Sequence, residues 1–250
     1  MRKKLIPAIF FFLFWLAVWQ IIIIFKLISP AVIASPYEVI FAIPSLFSPT
    51  EFLPDVISTV TRSLFAFILS LPIGIISGYV VFNSGKFRQP SELGLDFVRS
   101  IPATALVPLF LIIFGIGDLT KIAVGTFSSS LIICLSTIMG MNNRNITRLG
   151  ISQMLGISAL RRLIYLDLPE SLSQIFLGLR SGVSLSLVLV IVSEMFIGSN
   201  HGLGKVINDM RYSDQTPKLY CALLMTGVIG YFYNWILIKS EKWIMHWKGN

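Results

Sequence analysis

The chain has 250 residues, of which 55% are hydrophobic and only 13% are charged, with a mean hydropathy of +0.81. A soluble domain of this length cannot hide so much apolar surface, so the composition predicts an all-α integral membrane protein. The formal net charge of +8 does not indicate nucleic-acid binding, because the basic residues flank apolar segments, where membrane topology explains them.

Six apolar segments are long enough to cross a bilayer. The predicted spans cover residues 6–28, 57–82, 97–115, 121–141, 173–197 and 217–239. The first follows basic residues, as a secretory signal does. Its apolar run from Leu5 to Phe25 nevertheless exceeds the roughly 7–15 residues of a signal's hydrophobic region, so we expect a retained span. We expect residues 29–56 to lie outside, with a surface-lying helix near 37–47.

Lys and Arg are distributed unequally between the two sides of these spans. Twelve of the 20 lie at one face, four lie in connections at the other, and four lie in or at the ends of spans. The positive-inside rule then predicts that both termini are cytoplasmic. We expect one transmembrane domain over residues 1–250, with a core region at about 57–245.

Prolines interrupt the third predicted span. Pro102 and Pro108 each remove a backbone donor, and Ala103 between them is small. Two interpretations stay open: a kinked packing helix, or a broken helix whose freed carbonyls line a substrate path. Elsewhere, Gly74-x-x-x-Gly78 and Gly178-x-x-x-Gly182 predict helices that approach closely.

The inner connection, residues 142–172, predicts two short helices. Asn143 or Asn145 would cap the first, and Gly156 would end it after Leu155. Ser158 would cap the second through Asp167, and Leu168-Pro169 would restart the chain toward the membrane. An apolar stripe on the first helix comprises Ile151, Met154, Leu155 and Ile157. The stripe indicates a helix that lies on the protein or lipid surface, or one that docks into a partner's groove.

Ionisable residues inside the predicted spans include Glu194, Arg180 and Arg62. Glu194 comes late in the fifth, where a carboxylate either pairs within the bundle, reaches the outer interface, or serves a gate or pathway. We expect Arg180 and Arg62 to snorkel to the nearer surface.

Other chemistry is not indicated. Residues 198–205 lack the spacing of a nucleotide-binding loop, and the chain's histidines, His201 and His246, lack metal-type spacing. Cys134 and Cys221 lie in apolar runs and offer no disulfide framework.

These motifs together resemble the permease subunits of binding-protein-dependent ABC importers, in the nitrate/sulfonate/taurine-type branch. The resemblance rests on the spacing from Gly156 to Leu168-Pro169, with Gly178-Leu179-Arg180 after it. It also rests on 99–121, on Ser193-Glu194-Met195 and on Gly202-Leu203-Gly204. It covers roughly residues 57–245 and implies a type I importer-like fold of about six transmembrane helices. Residues 142–172 would be the cytoplasmic coupling loop.

The resemblance also implies site residues. An ATPase would dock on Gly150, Ile151, Ser152, Leu155, Gly156, Ile157, Ser158, Leu168 and Pro169. The translocation path would include Pro102, Ala103, Pro108 and Glu194. Where the family usually has Glu-Ala-Ala, this chain has Gly150-Ile151-Ser152. The acidic contact is therefore missing, and glycine weakens the helix by about 1 kcal/mol relative to alanine.

The expected function is an importer permease without enzymatic activity, in the bacterial inner membrane. It would carry a small anionic solute delivered by a periplasmic or lipid-anchored binding protein. Its other partners would be ABC ATPase subunits, a second permease copy or homologue, and lipid. We expect no cofactor on this chain, with ATP and Mg²⁺ on the partner ATPase. The alternatives are an ATP-independent secondary transporter or channel, which predicts repeat symmetry and coupling-ion ligands, and a membrane enzyme.

Overall fold

A computed structural model describes residues 2–25, 33–46 and 52–246, and within these ranges the regular structure is entirely helical. The helices are α1 Arg2–Ile24, α2 Pro36–Leu46, α3 Phe52–Phe82, α4 Arg88–Ser100, α5 Val107–Phe114, α6 Asp118–Asn142, α7 Ile146–Met154, α8 Ala159–Arg162, α9 Leu168–Ile197, α10 Leu203–Tyr212 and α11 Thr216–Ile244. Short 3₁₀ turns lie at Gly85–Phe87 and Ala103–Leu106, and a π-helical turn joins α8 to α9 at Leu163–Asp167.

Four helices of the described chain are long and apolar enough to cross a membrane. They are α3, α6, the continuous helix Ala159–Ile197, and α11. These confirm the second, fourth, fifth and sixth predicted spans. Helices α6 and α11 extend beyond both predicted ends, whereas α3 and Ala159–Ile197 begin earlier than predicted and end at the predicted residue. In α1 the apolar segment covers Leu13–Ile24, and the predicted end of the first span at residues 26–28 lies outside the described residues. The predicted surface-lying helix near 37–47 corresponds to α2.

The third predicted span is not a continuous helix. The chain bends by 85° between Gly85–Ser100 and Ala103–Phe114, so the break lies at Ile101-Pro102. The expectation that Pro108 also breaks the helix is wrong, because Pro108 lies in the first turn of α5. A proline there loses no intrahelical hydrogen bond, and its fixed φ suits a helix start.

Helix α6 lies between α3 and α9, and glycines allow the close contacts. A Cβ on Gly74 would lie 2.6 Å from Cβ of Ile133, and one on Gly178 would lie 2.4 Å from Cβ of Ser136. Both predicted glycine motifs therefore mark close packing against the same helix. Ser129 adds a hydrogen bond from its Oγ to the Gly182 carbonyl at 2.8 Å, as is usual where lipid offers no polar partner.

The segment after α6 contains the two predicted short helices. The Asn145 side chain accepts hydrogen bonds from the amides of Thr147 and Arg148, and Gly156 adopts a φ of +64° after α7. Asn145 is thus the N-cap, and Gly156 supplies the left-handed residue that ends the helix. Ser158 occupies the N-cap position of α8, but its side chain makes no capping hydrogen bond.

The predicted restart at Leu168-Pro169 is wrong. The helix runs without interruption from Ala159 to Ile197. Within the π-helical turn, the Leu168 amide donates to the Leu163 carbonyl, five residues back. This wider turn changes the donor register ahead of Pro169, so the helix continues through a residue that has no amide hydrogen.

Candidate functional site

One end of the bundle contains a buried polar cluster centred on Glu194, which is 1% exposed. Its carboxylate accepts hydrogen bonds from Thr59 Oγ1 at 2.8 and 3.0 Å, from Arg62 Nη1 at 2.7 Å and from the Gly204 amide at 3.0 Å. Both carboxylate oxygens therefore have partners inside the protein. This geometry favours the interpretation in which Glu194 pairs within the bundle.

Arg62 connects three helices at this end. Its Nη1 contacts Glu194 of α9 and donates to the His201 carbonyl at 2.7 Å, and its Nε lies 2.8 Å from Oδ1 of Asp118 in α6. The expectation that Arg62 snorkels to the surface is wrong, since its side chain is 10% exposed. An arginine in this position is retained inside because carboxylates from two other helices compensate its charge.

The start of α10 is bound to the same cluster. The Gly202 amide donates to Asp55 Oδ1 and the Leu203 amide donates to Thr59 Oγ1, each at 2.8 Å. The Gly204 amide donates to Glu194, as described above. Three successive backbone amides at the start of α10 therefore find acceptors on side chains of α3 and α9. A Cβ on Gly204 would lie 2.2 Å from the Ile191 carbonyl oxygen, so the close approach requires glycine.

Asp55, Thr59 and Lys121 belong to this cluster but were not predicted to. Lys121 is the first residue of the fourth predicted span. In the structure it lies in α6, is 2% exposed, and donates from Nζ to Ser199 Oγ at 2.6 Å. The one signal in the sequence was the spacing of Asp55, Thr59 and Arg62, which share a face only if the second predicted span begins before residue 57, as α3 does. Ordinary solvated helix ends show the same spacing.

Ion pairs at the opposite end hold α7 against α9. The guanidinium of Arg148 lies 2.9 Å from Glu170, and the buried Asp167 is shared by Arg144 at 3.0 Å and Arg162 at 3.4 Å. The Asn145 amide also donates to Glu170 at 2.8 Å. Further along α9, Arg180 pairs with Glu241 of α11, so a partner within the bundle takes the place of the expected snorkelling.

An open groove, which we name the α7 groove, lies beside α7 and the π-helical turn. Its volume is about 740 Å³, and it is lined by Arg148, Ile151, Ser152, Leu155, Gly156, Ile157, Ser158, Arg161, Arg162, Tyr165 and Leu166. The apolar side chains are accessible: Leu155 is 70% exposed and Ile157 is 41% exposed. A groove of this size with an apolar lining is suited to receive part of another molecule.

The structure brings six of the nine predicted coupling residues into this groove. The exceptions are Gly150, Leu168 and Pro169, of which the last two lie half-buried at the start of α9. Ser152 is buried, and its Oγ donates to the Leu149 carbonyl at 2.7 Å. Five lining residues were not predicted: Arg148, Arg161, Arg162, Tyr165 and Leu166. The arginines had served only to assign the topology.

The predicted path residues around the break lie on the surface of this subunit. Pro102 and Pro108 are exposed, and Ala103 is half-buried beside Val107. Val107 packs with Val124 of α6 and Leu189 of α9, whereas Ile112 of α5 is 83% exposed. One side of this segment is thus anchored in the bundle, and the other side is an uncovered apolar face.

The sequence is similar to curated transport proteins over nearly its whole length. It is 22% identical over 250 residues to the putative aliphatic sulfonates transport permease protein SsuC of Bacillus subtilis, covering 100% of this chain and 88% of that protein. It is 24% identical to the taurine transport system permease protein TauC of Escherichia coli, covering 94% of this chain and 86% of that one. It is 25% identical to the formylaminopyrimidine transport permease protein ThiX of Halalkalibacterium halodurans, covering 95% of this chain and 94% of that protein.

Solved transporter structures share the fold. The inward-facing MetNI methionine ABC transporter matches with a TM-score of 0.68 at 16% identity, over 76% of this chain and 94% of that chain. An amino acid ABC transporter with histidines matches with a TM-score of 0.61 at 15% identity, over 76% of this chain and 92% of that chain. The predicted all-α architecture of the type I importer kind is therefore confirmed.

Residues 70–244 match the family described as "Binding-protein-dependent transport system inner membrane component". The sulfonate and taurine permeases among the relatives support the predicted branch, whereas no relative named above supports an ATP-independent carrier. In such importers the membrane subunit is not the catalytic one, and ATP hydrolysis belongs to a separate subunit. The chain belongs to this family of binding-protein-dependent inner-membrane components and is a multi-pass permease subunit of an ABC importer.

Proposed function

We propose that this permease imports a small anionic solute that a periplasmic or lipid-anchored binding protein delivers, and that an ATPase subunit docks on the α7 groove. ATP and Mg²⁺ would be bound by that ATPase, and this chain would bind no cofactor. Closure of the two ATPase subunits would move α7 and the helix Ala159–Ile197 together. This movement would open the translocation path to one side of the membrane and close it to the other.

The observation that carries the docking proposal is the α7 groove itself. Helix α7, Ile146–Met154, is followed by the exposed side chains of Leu155 and Ile157. A partner that covers these apolar side chains lowers the free energy of the complex. Ion pairs from Arg148 and Asp167 connect this segment to α9. A force applied at the groove therefore reaches the helix that runs through the membrane.

The test replaces Gly156 with valine. At a φ of +64° a β-branched residue is strained, so the turn between Leu155 and Ile157 changes shape. We expect Gly156→Val to lose ATPase association and ATP-driven uptake in proteoliposomes. The matched control is Gly85→Val, because Gly85 also has a positive φ, +58°, a Cβ there meets nothing within 4 Å, and it does not line the groove. Wild-type association and uptake in a well-folded Gly156→Val permease would refute docking at this groove.

For the translocation path we propose that a second permease copy, or a homologue, packs against the exposed face of α5. The freed backbone groups near Pro102 and Ala103 would then face a central opening instead of lipid, where they would have no partners. Pro108 would lie on the same wall. Glu194 would contribute from the outer end through its contacts with Arg62 and Gly204, by holding α9 and α10 in place.

The proposal of an anionic solute is supported by the sulfonate and taurine permeases among the relatives. One relative, a formylaminopyrimidine permease, indicates a different class. The discriminating experiment is uptake of a labelled aliphatic sulfonate, taurine and a formylaminopyrimidine by cells that express the complete transporter. Uptake of the pyrimidine alone would refute the anionic class.

A further inference from the structure

The charge of the α7 groove is strongly one-sided. Among the residues that the structure describes, its lining includes Arg148, Arg161 and Arg162 but no carboxylate. Nearby carboxylates compensate only part of this charge: Glu170 pairs with Arg148, and Asp167 is shared by Arg162 and Arg144. Arg144, Arg148, Arg161 and Arg162 therefore share the two carboxylates of Asp167 and Glu170. The groove keeps a positive potential.

Arg161 is the arginine of this groove whose charge is not compensated by a carboxylate of the described residues. It is exposed, and among the described residues it has no ion pair. Its neighbour Arg162 instead reaches Asp167 at 3.4 Å. Tyr165, which is 79% exposed, adds a hydroxyl that can donate. Both donors lie beside the apolar side chains of Leu155 and Ile157.

A protein partner that covers this groove removes water from Arg161. Desolvating a guanidinium costs free energy unless the partner supplies a carboxylate, whereas an opposing charge repays that cost and also speeds association. A basic partner surface would be repelled. The apolar lining requires in addition a side chain that fills the space next to Leu155.

We propose that the α7 groove selects an acidic docking surface: the ATPase segment seated in it presents a carboxylate to Arg161 beside an apolar side chain that contacts Leu155 and Ile157. This inference rests on the proposed docking of the ATPase at this groove, and it defines the chemistry of the partner surface. A concave, mainly apolar site of about 740 Å³ matches a protein segment better than a lipid headgroup, which needs only surface charge.

The experiment measures the affinity of the purified ATPase subunit for the permease in nanodiscs, at several salt concentrations. We expect Arg161→Glu to weaken association by about ten-fold or more and to remove much of its salt dependence. Arg161→Gln should have a smaller effect. The control Lys205→Glu makes the same change in net charge at the opposite end of the bundle and should bind as wild type. One Asp or Glu of the ATPase, changed to Lys, should restore binding to Arg161→Glu.

The outcomes separate the two proposals. If Gly156→Val and Leu155→Asp abolish association but Arg161→Glu binds as wild type, the ATPase docks here and the acidic surface is refuted. If none of the three variants changes association, docking at this groove is refuted as well. If Arg161→Glu leaves ATPase association unchanged but weakens binding to vesicles that contain phosphatidylglycerol, Arg161 recognises a lipid headgroup, which also overturns the inference.

Discussion

Arg62 and Glu194, which are 132 positions apart in the chain, form a direct ion pair of 2.7 Å between α3 and α9. Glu194 is 1% exposed, and Thr59 and the Gly204 amide occupy its remaining acceptor sites. The pair therefore connects α3 and α9 to the start of α10 at one end of the bundle. Its energetic role follows from burial, because an unpartnered charge in this position is costly.

We expect Arg62→Met to destabilise the protein by about 3–5 kcal/mol, because it leaves the Glu194 carboxylate buried without its charge partner. The measurement is the apparent Tm in detergent. The double variant Arg62→Met with Glu194→Gln should be more stable than Arg62→Met alone, since the neutral amide needs no counter-charge.

The control for Arg62→Met is Arg99→Met. Arg99 pairs with Asp96 at 3.3 Å, but both side chains are more than half exposed, at 59% and 57%, and such pairs contribute about 0–1 kcal/mol. Equal losses for Arg62→Met and Arg99→Met would contradict a special role for the buried pair.

We expect Gly178→Ala to push α9 away from α6, because the added Cβ would lie 2.4 Å from Cβ of Ser136. The expected loss is about 1–3 kcal/mol, as for other overpacked cores, again measured as apparent Tm. Gly227→Ala is the control, since a Cβ there meets nothing within 4 Å. Adding Ser136→Gly to Gly178→Ala should recover stability, and a failure to recover would argue against this contact as the cause.

We expect Asn145→Ala to fray α7, because the side chain accepts hydrogen bonds from the amides of Thr147 and Arg148. Losing such an N-cap costs about 1 kcal/mol. The measurement is hydrogen exchange of the α7 amides, which should become faster. Ser158→Ala makes a comparable change at the start of α8, where no side-chain cap exists, and should leave exchange there unchanged.

We expect both termini and α7 to be cytoplasmic and α10 to be outside. A cysteine at Arg161 should react with an impermeant thiol reagent only in everted vesicles, and one at Asp209 only in intact cells. The native Cys134 and Cys221 are 2% and 4% exposed, so background labelling should be low. Labelling of Arg161→Cys from outside would show that the charge asymmetry was misread.

The membrane helices and the caps of α7 could be predicted because their causes are local. An apolar run of about 20 residues requires lipid whatever surrounds it, and Asn145 and Gly156 act on backbone groups within a few residues. The prolines were harder to interpret. Pro102 and Pro108 have the same intrinsic geometry, but only the first lies at a break. Packing of Val107 against Val124 and Leu189 positions the start of α5, so that Pro108 lies in its first turn.

By itself, the sequence determined that this chain is a helical membrane protein, where most of its spans lie, and which connection between spans contains a capped amphipathic helix. Only the tertiary structure decided which charges meet. Asp55, Thr59, Arg62, Asp118 and Glu194 come from three helices, and their pairing depends on the close approach that glycines allow between α3, α6 and α9. Long-range contacts of this kind leave no periodic or local signal in the sequence, because each partner is chosen by packing geometry and by the cost of leaving a buried charge alone.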